Sequence, residues 1–402
     1  MGGEIKNLGV VGLGVMGFDI GFLYALKGFR TLVFDAAPPA MNAVEDRREQ
    51  TIERLARRNR IGAAESDNVR THLIKARAIG DLAGLDLVTE AVSENASTKL
   101  SVYRALQTAG FGGILTTNTS SVCRATLLAE KVCDPERFAL THFFNPVLYT
   151  QMVEVVRGDM DAGCGDALVN FLRAIGRQPV ETRDISGFVS NGILMVYAVM
   201  ALRLVEQGAA IEAVDQAARE LKLLPPLFSF DSWKPSIVED VTRVMFEHRG
   251  DAFLRSSQLL RRLAESNPRF YIDQKANQRI YELAEASGRS MDDETIRRAL
   301  RVSTLVSAAR VVELGESPAT VDFVATEGIK LPQPPLQEID GLGASAALED
   351  LARTNQELGG EPLAPPELLA AMAAAHQTFY TNGAPNPWLI ARGARAATHA
   401  RH

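Results

Sequence analysis

The stretch Leu8-Gly9-Val10-Val11-Gly12-Leu13-Gly14-Val15-Met16-Gly17 decides how the first half of this chain is read. An apolar run, Leu8 to Val11, gives way to three glycines in the pattern G-x-G-x-x-G, and Ile20, Leu23 and Leu26 then recur with helical spacing. A second β-rich run from Thr31 to Phe34 ends on Asp35, 18 residues beyond Gly17. Strand, glycine turn, helix, strand and acid together form a βαβ unit of dinucleotide-binding type. Gly12, Gly14 and Gly17 allow a tight turn, and the residues between and after them, Leu13, Val15 and Met16, bring a helix N-terminus toward a pyrophosphate. Asp35 would accept hydrogen bonds from ribose hydroxyls and repel a 2′-phosphate, which predicts NAD over NADP. Asp19 is an anion near the start of the same helix, close to where phosphates would lie.

Outward from this unit, strands recur at Leu85–Thr89, Ile114–Thr117, Phe138–Thr141, Met152–Val156 and Gln178–Thr182. Residues 40–76 read as two polar, Arg- and Glu-rich helices broken near Gly62, a protruding arm. Alternating strands and helices predict a doubly wound parallel sheet, the Rossmann-like α/β class, over residues 1–185. From Asp184 onward nearly everything reads as helix. Val205-Glu206-Gln207-Gly208 with Asp215 and Pro225 recurs 107 residues later as Val312-Glu313-Leu314-Gly315 with Asp322 and Pro332; Asp231 and Asp340 follow two residues out of step. The expected layout is therefore an α/β domain followed by two related all-α domains, 186–295 and 296–402, with a frayed Ala/Arg-rich tail after about residue 390.

Composition limits the functional classes. Of 402 residues, 46% are hydrophobic and 23% charged, which excludes a disordered or collagen-like chain. Net charge is −6 and no long basic run exists, so nucleic acid is not an expected partner. No 18-residue uncharged apolar run is present, Gly2 lacks the Ser or Thr that myristoylation wants, and no signal peptide is evident. Cys123, Cys133 and Cys164 lack a C-x-x-C pair, and with six histidines no metal cluster is expected. Reduced thiols and a cytoplasmic location follow.

A second constellation comprises Thr117-Asn118-Thr119-Ser120-Ser121, His142-Phe143-Phe144-Asn145-Pro146 and Met152-Val153-Glu154-Val155-Val156. It places a hydroxyl, an imidazole and a carboxylate at successive strand ends, the edge where open α/β sheets bind ligands. With these motifs, with D-L-V-T-E-A-V-S-E-N (Asp86 to Asn95) and with S-G-F-V-S-N (Ser186 to Asn191), the sequence resembles the 3-hydroxyacyl-CoA dehydrogenase family nearly continuously over residues 5–191. The helical half resembles, more loosely, the duplicated C-terminal domains in the dehydrogenase part of multifunctional fatty-acid oxidation enzymes.

The resemblance implies an NAD-dependent oxidoreductase that interconverts a 3-hydroxyacyl thioester and its 3-ketoacyl product, as in β-oxidation. It implies that His142 is the catalytic base and Glu154 its paired carboxylate, and that Ser120 and Asn191 hold the substrate's oxygens. Glu94, Lys99 and Asn145 would lie near the nicotinamide ribose, with Asn118 in the same cofactor-binding set. Physical chemistry agrees with these roles. Oxidising a secondary alcohol removes a hydride from carbon and a proton from oxygen, so a base must reach the hydroxyl. A carboxylate beside an imidazole fixes which ring nitrogen faces the substrate.

Arg54, Arg57, Arg58 and Arg60 read as one helix face. They fit either a solvated face laced with ion pairs to the preceding acids or a clamp for coenzyme A phosphates. In the family this arm lies over the pantetheine and nucleotide, which puts Thr51 and Arg58 at contact positions. A carrier-protein thioester would want the same charges, so a biosynthetic reductase acting on an unusual or carrier-bound acyl group is the alternative reading. A non-catalytic NAD-binding protein is a lesser one. The segment Leu221 to Trp233 lacks the family's glycine turn and Gly-Pro beside the acyl pocket. It is expected either to pack between the repeats or to reshape that pocket. The cleft is expected between the first domain and the first helical repeat. A tandem repeat can cover internally the face that single-repeat relatives bury by dimerising, so both monomer and homodimer are open. The absence of hydratase or thiolase segments predicts a single step, with other pathway enzymes as possible associates.

Overall fold

A computed structural model describes residues 4–285 and 291–389. The tail after about residue 390 and the reading of Gly2 lie outside these. The chain divides into two compact units, Met1–Asp184 and Ile185–His402.

The first unit is an eight-stranded sheet: β1 (Asn7–Val11), β2 (Arg30–Phe34), β3 (Leu73–Lys75), β4 (Leu87–Glu90), β5 (Ile114–Thr117), β6 (Phe138–Phe143), β7 (Met152–Val156) and β8 (Gln178–Glu181). Spatial order is β3-β2-β1-β4-β5-β6-β7-β8. Both faces are covered, which is why β4, β5, β6 and β7 are apolar or buried at every position. Two details differ from the sequence expectation. β3 falls inside the stretch read as polar helix, where only Leu73 is buried; it is an edge strand too short to show a pattern. The sheet is also not wholly parallel, because β7 runs antiparallel to β6. The connection from Phe144 to Gln151 is too short for the crossover of a dozen or more residues that a parallel neighbour requires.

The arm between β2 and β3 contains the helices Val44–Arg57 and Ala63–His72. The first buries Val44, Thr51, Ile52 and Leu55. It ends sooner than its arginines suggested: Arg58 is the C-cap, and Asn59 follows at φ 53°. Arg58 and Arg60 therefore leave the helix and do not share a face with Arg54.

In the second unit the long helices Ser190–Glu206 and Asp293–Glu313 pack together. They cross closely at Gly192, where a Cβ would stand 2.8 Å from Val311. Corresponding residues make corresponding bonds. Asp215 accepts from the Leu227 and Phe228 amides and from the Tyr271 hydroxyl; Asp322 accepts from the Leu336 amide and the Tyr380 hydroxyl. Asp231 takes the Phe270 and Tyr271 amides, as Asp340 takes those of Phe379 and Tyr380. The two-residue slip lies between Asp322 and the next helix, which begins at Pro335 where its counterpart begins at Pro226, so Pro225 corresponds to Pro334 and not to Pro332. A π-helical turn, Val324–Gly328, lies in this interval and accounts for one of the two residues.

Candidate active site

Asp35 and the glycine turn form one unit. Asp35 Oδ2 accepts the Leu13 amide at 2.7 Å and Oδ1 accepts the Ala37 amide at 2.8 Å, so this carboxylate braces the turn from the end of β2. Gly12 sits at φ +92° with the Ala91 backbone 2.7 Å from where a Cβ would stand. At Gly17 a Cβ would lie 1.8 Å from the Gly12 carbonyl oxygen. The helix Val15–Leu26 can come this close to β1 only without side chains there, and its first residue, Val15, is 57% exposed. A helix N-terminus presented bare over a turn of this kind fits a dinucleotide pyrophosphate. By contrast, a Cβ at Gly14, φ −58°, would meet nothing within 4 Å. We expect Gly17→Ala to cost about 1–3 kcal/mol of packing strain or to displace the turn. NADH titration by fluorescence should then show at least roughly tenfold weaker binding. Gly14→Ala should weaken binding as well, because the second glycine lets the backbone approach the pyrophosphate, but without the loss of stability expected of Gly17→Ala. Equal thermal stability of the two variants would contradict this account of the turn.

The catalytic candidates come together through the β6–β7 register. His142 pairs directly with Glu154 across the antiparallel ladder, and His142 Nδ1 lies 2.9 Å from Glu154 Oε2. Glu154 is 1% exposed and His142 8%. A carboxylate can only accept, so Nδ1 carries the proton that faces it, and in the neutral ring Nε2 is the nitrogen with the lone pair. Ser120 follows β5, on the same carboxyl edge of the sheet as His142. Asn118 braces the two strand ends, its Oδ1 accepting the Phe143 amide at 3.1 Å.

Glu94 holds the Ser120 loop. Its Oε1 accepts the Ser120 amide and the Ser121 amide at 2.8 Å each, the Ser121 hydroxyl at 2.9 Å and the Thr119 hydroxyl at 2.5 Å. Burial by itself would push this carboxyl up, but the Lys99 ammonium and those donors reverse the effect and hold it below the ordinary range. Lys99 is wholly buried, 3.7 Å from Glu94 and 3.1 Å from Glu90. Burial opposes its charge, yet Glu90 and Glu94 raise its pKa. Glu90 also accepts the Val92 amide and the Tyr103 and Thr117 hydroxyls. Sequence reasoning assigned Glu90 no role, although it lies in the quoted motif at the end of a strand beside the glycine turn.

The other candidates are placed as follows. Thr51 is buried within its helix, whereas Arg58 is exposed and donates to the Tyr149 hydroxyl at 3.3 Å. Arg60 lies over the same ring. Asn145 is exposed just after β6. Asn191, in the second unit, occupies the first turn of the helix Ser190–Glu206 and is 8% exposed. In the Leu221–Trp233 segment, Phe230 is buried against Phe270 and Trp233, while Phe228 is 55% exposed beside Tyr271. Among the described residues no group of His, Cys, Asp or Glu could hold a metal ion, and no helix is long and apolar enough to cross a membrane.

Comparison with known proteins adds the lineage. Residues 7–185 match the family model described as 3-hydroxyacyl-CoA dehydrogenase, NAD binding domain, and residues 187–283 match its C-terminal domain. A 3-hydroxybutyryl-CoA dehydrogenase of Mycobacterium tuberculosis (strain H37Rv) is 33% identical over 222 residues, 54% of this chain and 77% of that protein. A fatty acid oxidation complex subunit alpha of Pseudomonas syringae pv. tomato is 27% identical over 94% of this chain, which spans only 56% of that relative's length. The crystal structure of a 3-hydroxybutyryl-CoA dehydrogenase from Escherichia coli K12 shares the fold, with a TM-score of 0.77 at 22% identity over 92% of this chain and 99% of that one. The chain belongs to the 3-hydroxyacyl-CoA dehydrogenase family.

Proposed function

We propose that this chain catalyses NAD-dependent interconversion of a 3-hydroxyacyl-CoA and the corresponding 3-ketoacyl-CoA. The observation that carries the reading is the His142–Glu154 pair, set in register on the carboxyl edge of a sheet whose glycine turn fits a dinucleotide. Glu154 holds the Nδ1 proton, so Nε2 is the atom that takes the hydroxyl proton during oxidation and returns it during reduction. The imidazolium formed on the way is stabilised by the same buried carboxylate. Ser120, its loop fixed by Glu94, orients the substrate oxygen, and Asn191 is assigned the same task from its motif. When bound, NAD supplies the hydride acceptor.

The substrate class rests on the relatives' names and on the arm. Arg58 and Arg60, braced by Tyr149, present cations suited to coenzyme A phosphates. Free cysteines agree with a reducing cytoplasm, and burial pushes Cys133 up to about 11, away from nucleophilic reactivity. The test is NADH absorbance with purified protein and 3-hydroxyacyl-CoAs of varied length and branching. Turnover on at least one of them is expected. Tight NAD binding with no turnover on any CoA thioester or carrier-protein thioester would overturn the reading.

A further inference from the structure

Arg47, on the arm helix Val44–Arg57, reaches away from its own helix to the glycine turn. Its Nη1 donates to the Leu13 carbonyl at 2.6 Å and its Nη2 to the Gly14 carbonyl at 3.1 Å. The guanidinium lies 4.0 Å over the Phe18 ring. These contacts fix a cation on the rim of the turn, and they explain how the chain tolerates Asp19. The helix begins at Val15, so Asp19 is its fifth residue, one turn in from the phosphate-binding end. A helix terminus offers about half a positive charge. One ionised carboxylate so near would cancel that and leave the turn repelling an anion. Burial holds the Asp19 carboxyl above its ordinary value, with Arg54 and then Arg47 offsetting only part of that rise. Asp19 in turn is the charge that offsets the burial of Arg47.

We infer that Arg47 is a dinucleotide-phosphate residue: it balances Asp19 at the glycine turn and presents its guanidinium to the cofactor's pyrophosphate. Two carbonyls and an aromatic face hold the guanidinium, so little side-chain entropy remains to be lost on binding. The same side chain ties the arm that carries Arg58 to the turn that takes the dinucleotide. The inference rests on the dehydrogenase reading only in that the turn binds NAD.

Equilibrium binding tests it without any turnover. NADH affinity is read by fluorescence titration of the intact chain, and ADP-ribose and adenosine are titrated as competitors with and without a pyrophosphate. Wild-type protein that bound no NADH would overturn the underlying cofactor reading itself. With wild-type binding established, Arg47→Gln is expected to weaken NADH and ADP-ribose at least about tenfold and adenosine less than about twofold. Asp19→Asn in the Arg47→Gln background should recover most of the loss, and Arg47→Lys should keep part of the affinity. Unchanged ADP-ribose binding in Arg47→Gln would overturn the assignment. So would an equal loss for adenosine, which would show that Arg47 only props the turn.

Discussion

His142→Gln is expected to lower the turnover number at least about 100-fold while leaving NADH affinity unchanged. Glutamine can still receive and donate hydrogen bonds beside Glu154, so the buried carboxylate keeps a partner and the ladder survives. It has no basic nitrogen, so the hydroxyl proton loses its acceptor. General-base assistance is typically worth about 10²–10⁴-fold, and the loss should fall in that range. The glycine turn is built from β1, β2 and the loop after β4, none of which contains His142, hence the prediction that cofactor binding is untouched. Steady-state NADH production from a 3-hydroxyacyl-CoA, with NADH titration in parallel, gives both numbers. Near-normal turnover would remove His142 from the mechanism.

Glu90→Gln is expected to destabilise the first unit by about 3–5 kcal/mol, the usual result of breaking a buried ion pair from one side. It leaves Lys99, with no exposed surface, facing Glu94 alone at 3.7 Å. Lys99 and Glu94 still neutralise each other in Glu90→Gln, so the double variant Glu90→Gln/Lys99→Met strands the buried Glu94 carboxylate instead and should be no more stable than Glu90→Gln. Urea unfolding followed by circular dichroism measures both. The pH dependence has a definite sign. Lys99 is raised above its ordinary value of 10.5, so its contribution is complete below that value and disappears only as pH rises through the folded value. Glu94 is lowered below 4.5, so its contribution is complete above that value and disappears as pH falls through the folded value. The destabilisation by Glu90→Gln should therefore be nearly the same at pH 6 and pH 9. A loss confined to one of them would mean that the lysine or the carboxylate titrates inside that window.

Much of the site was legible because it consists of residues with few substitutes. Gly12 and Gly17 announce a close approach that any Cβ would block, and Asp35 ends the strand that reaches the turn. His142 and Glu154 could be paired through the family motif, but nothing in a one-dimensional spacing says that they face each other. That came from the short β6–β7 connection, which reverses β7 and puts the two in register. Arg47 was hidden for a related reason. It reads as one arginine among many on a polar helix, and only the packing of the arm against the turn gives it two carbonyls and a ring. Glu90 and Lys99 are nine residues apart, a spacing that suggests no contact until the helix Ala96–Thr108 folds back along β4.

The sequence by itself determined the dinucleotide turn, the change from alternating strands to helices near residue 185, and the recurring Glu-x-Gly and Asp pattern of the helical half. These are local: chain conformation, steric allowance and apolar period are properties of neighbouring residues. Only the tertiary structure decided which charges meet. It reversed β7, buried Lys99 between two glutamates, ended the arm helix before Arg58 and carried Arg47 to the glycine turn. Each depends on which surfaces exclude water from each other, and that is set by the whole fold rather than by any window of sequence.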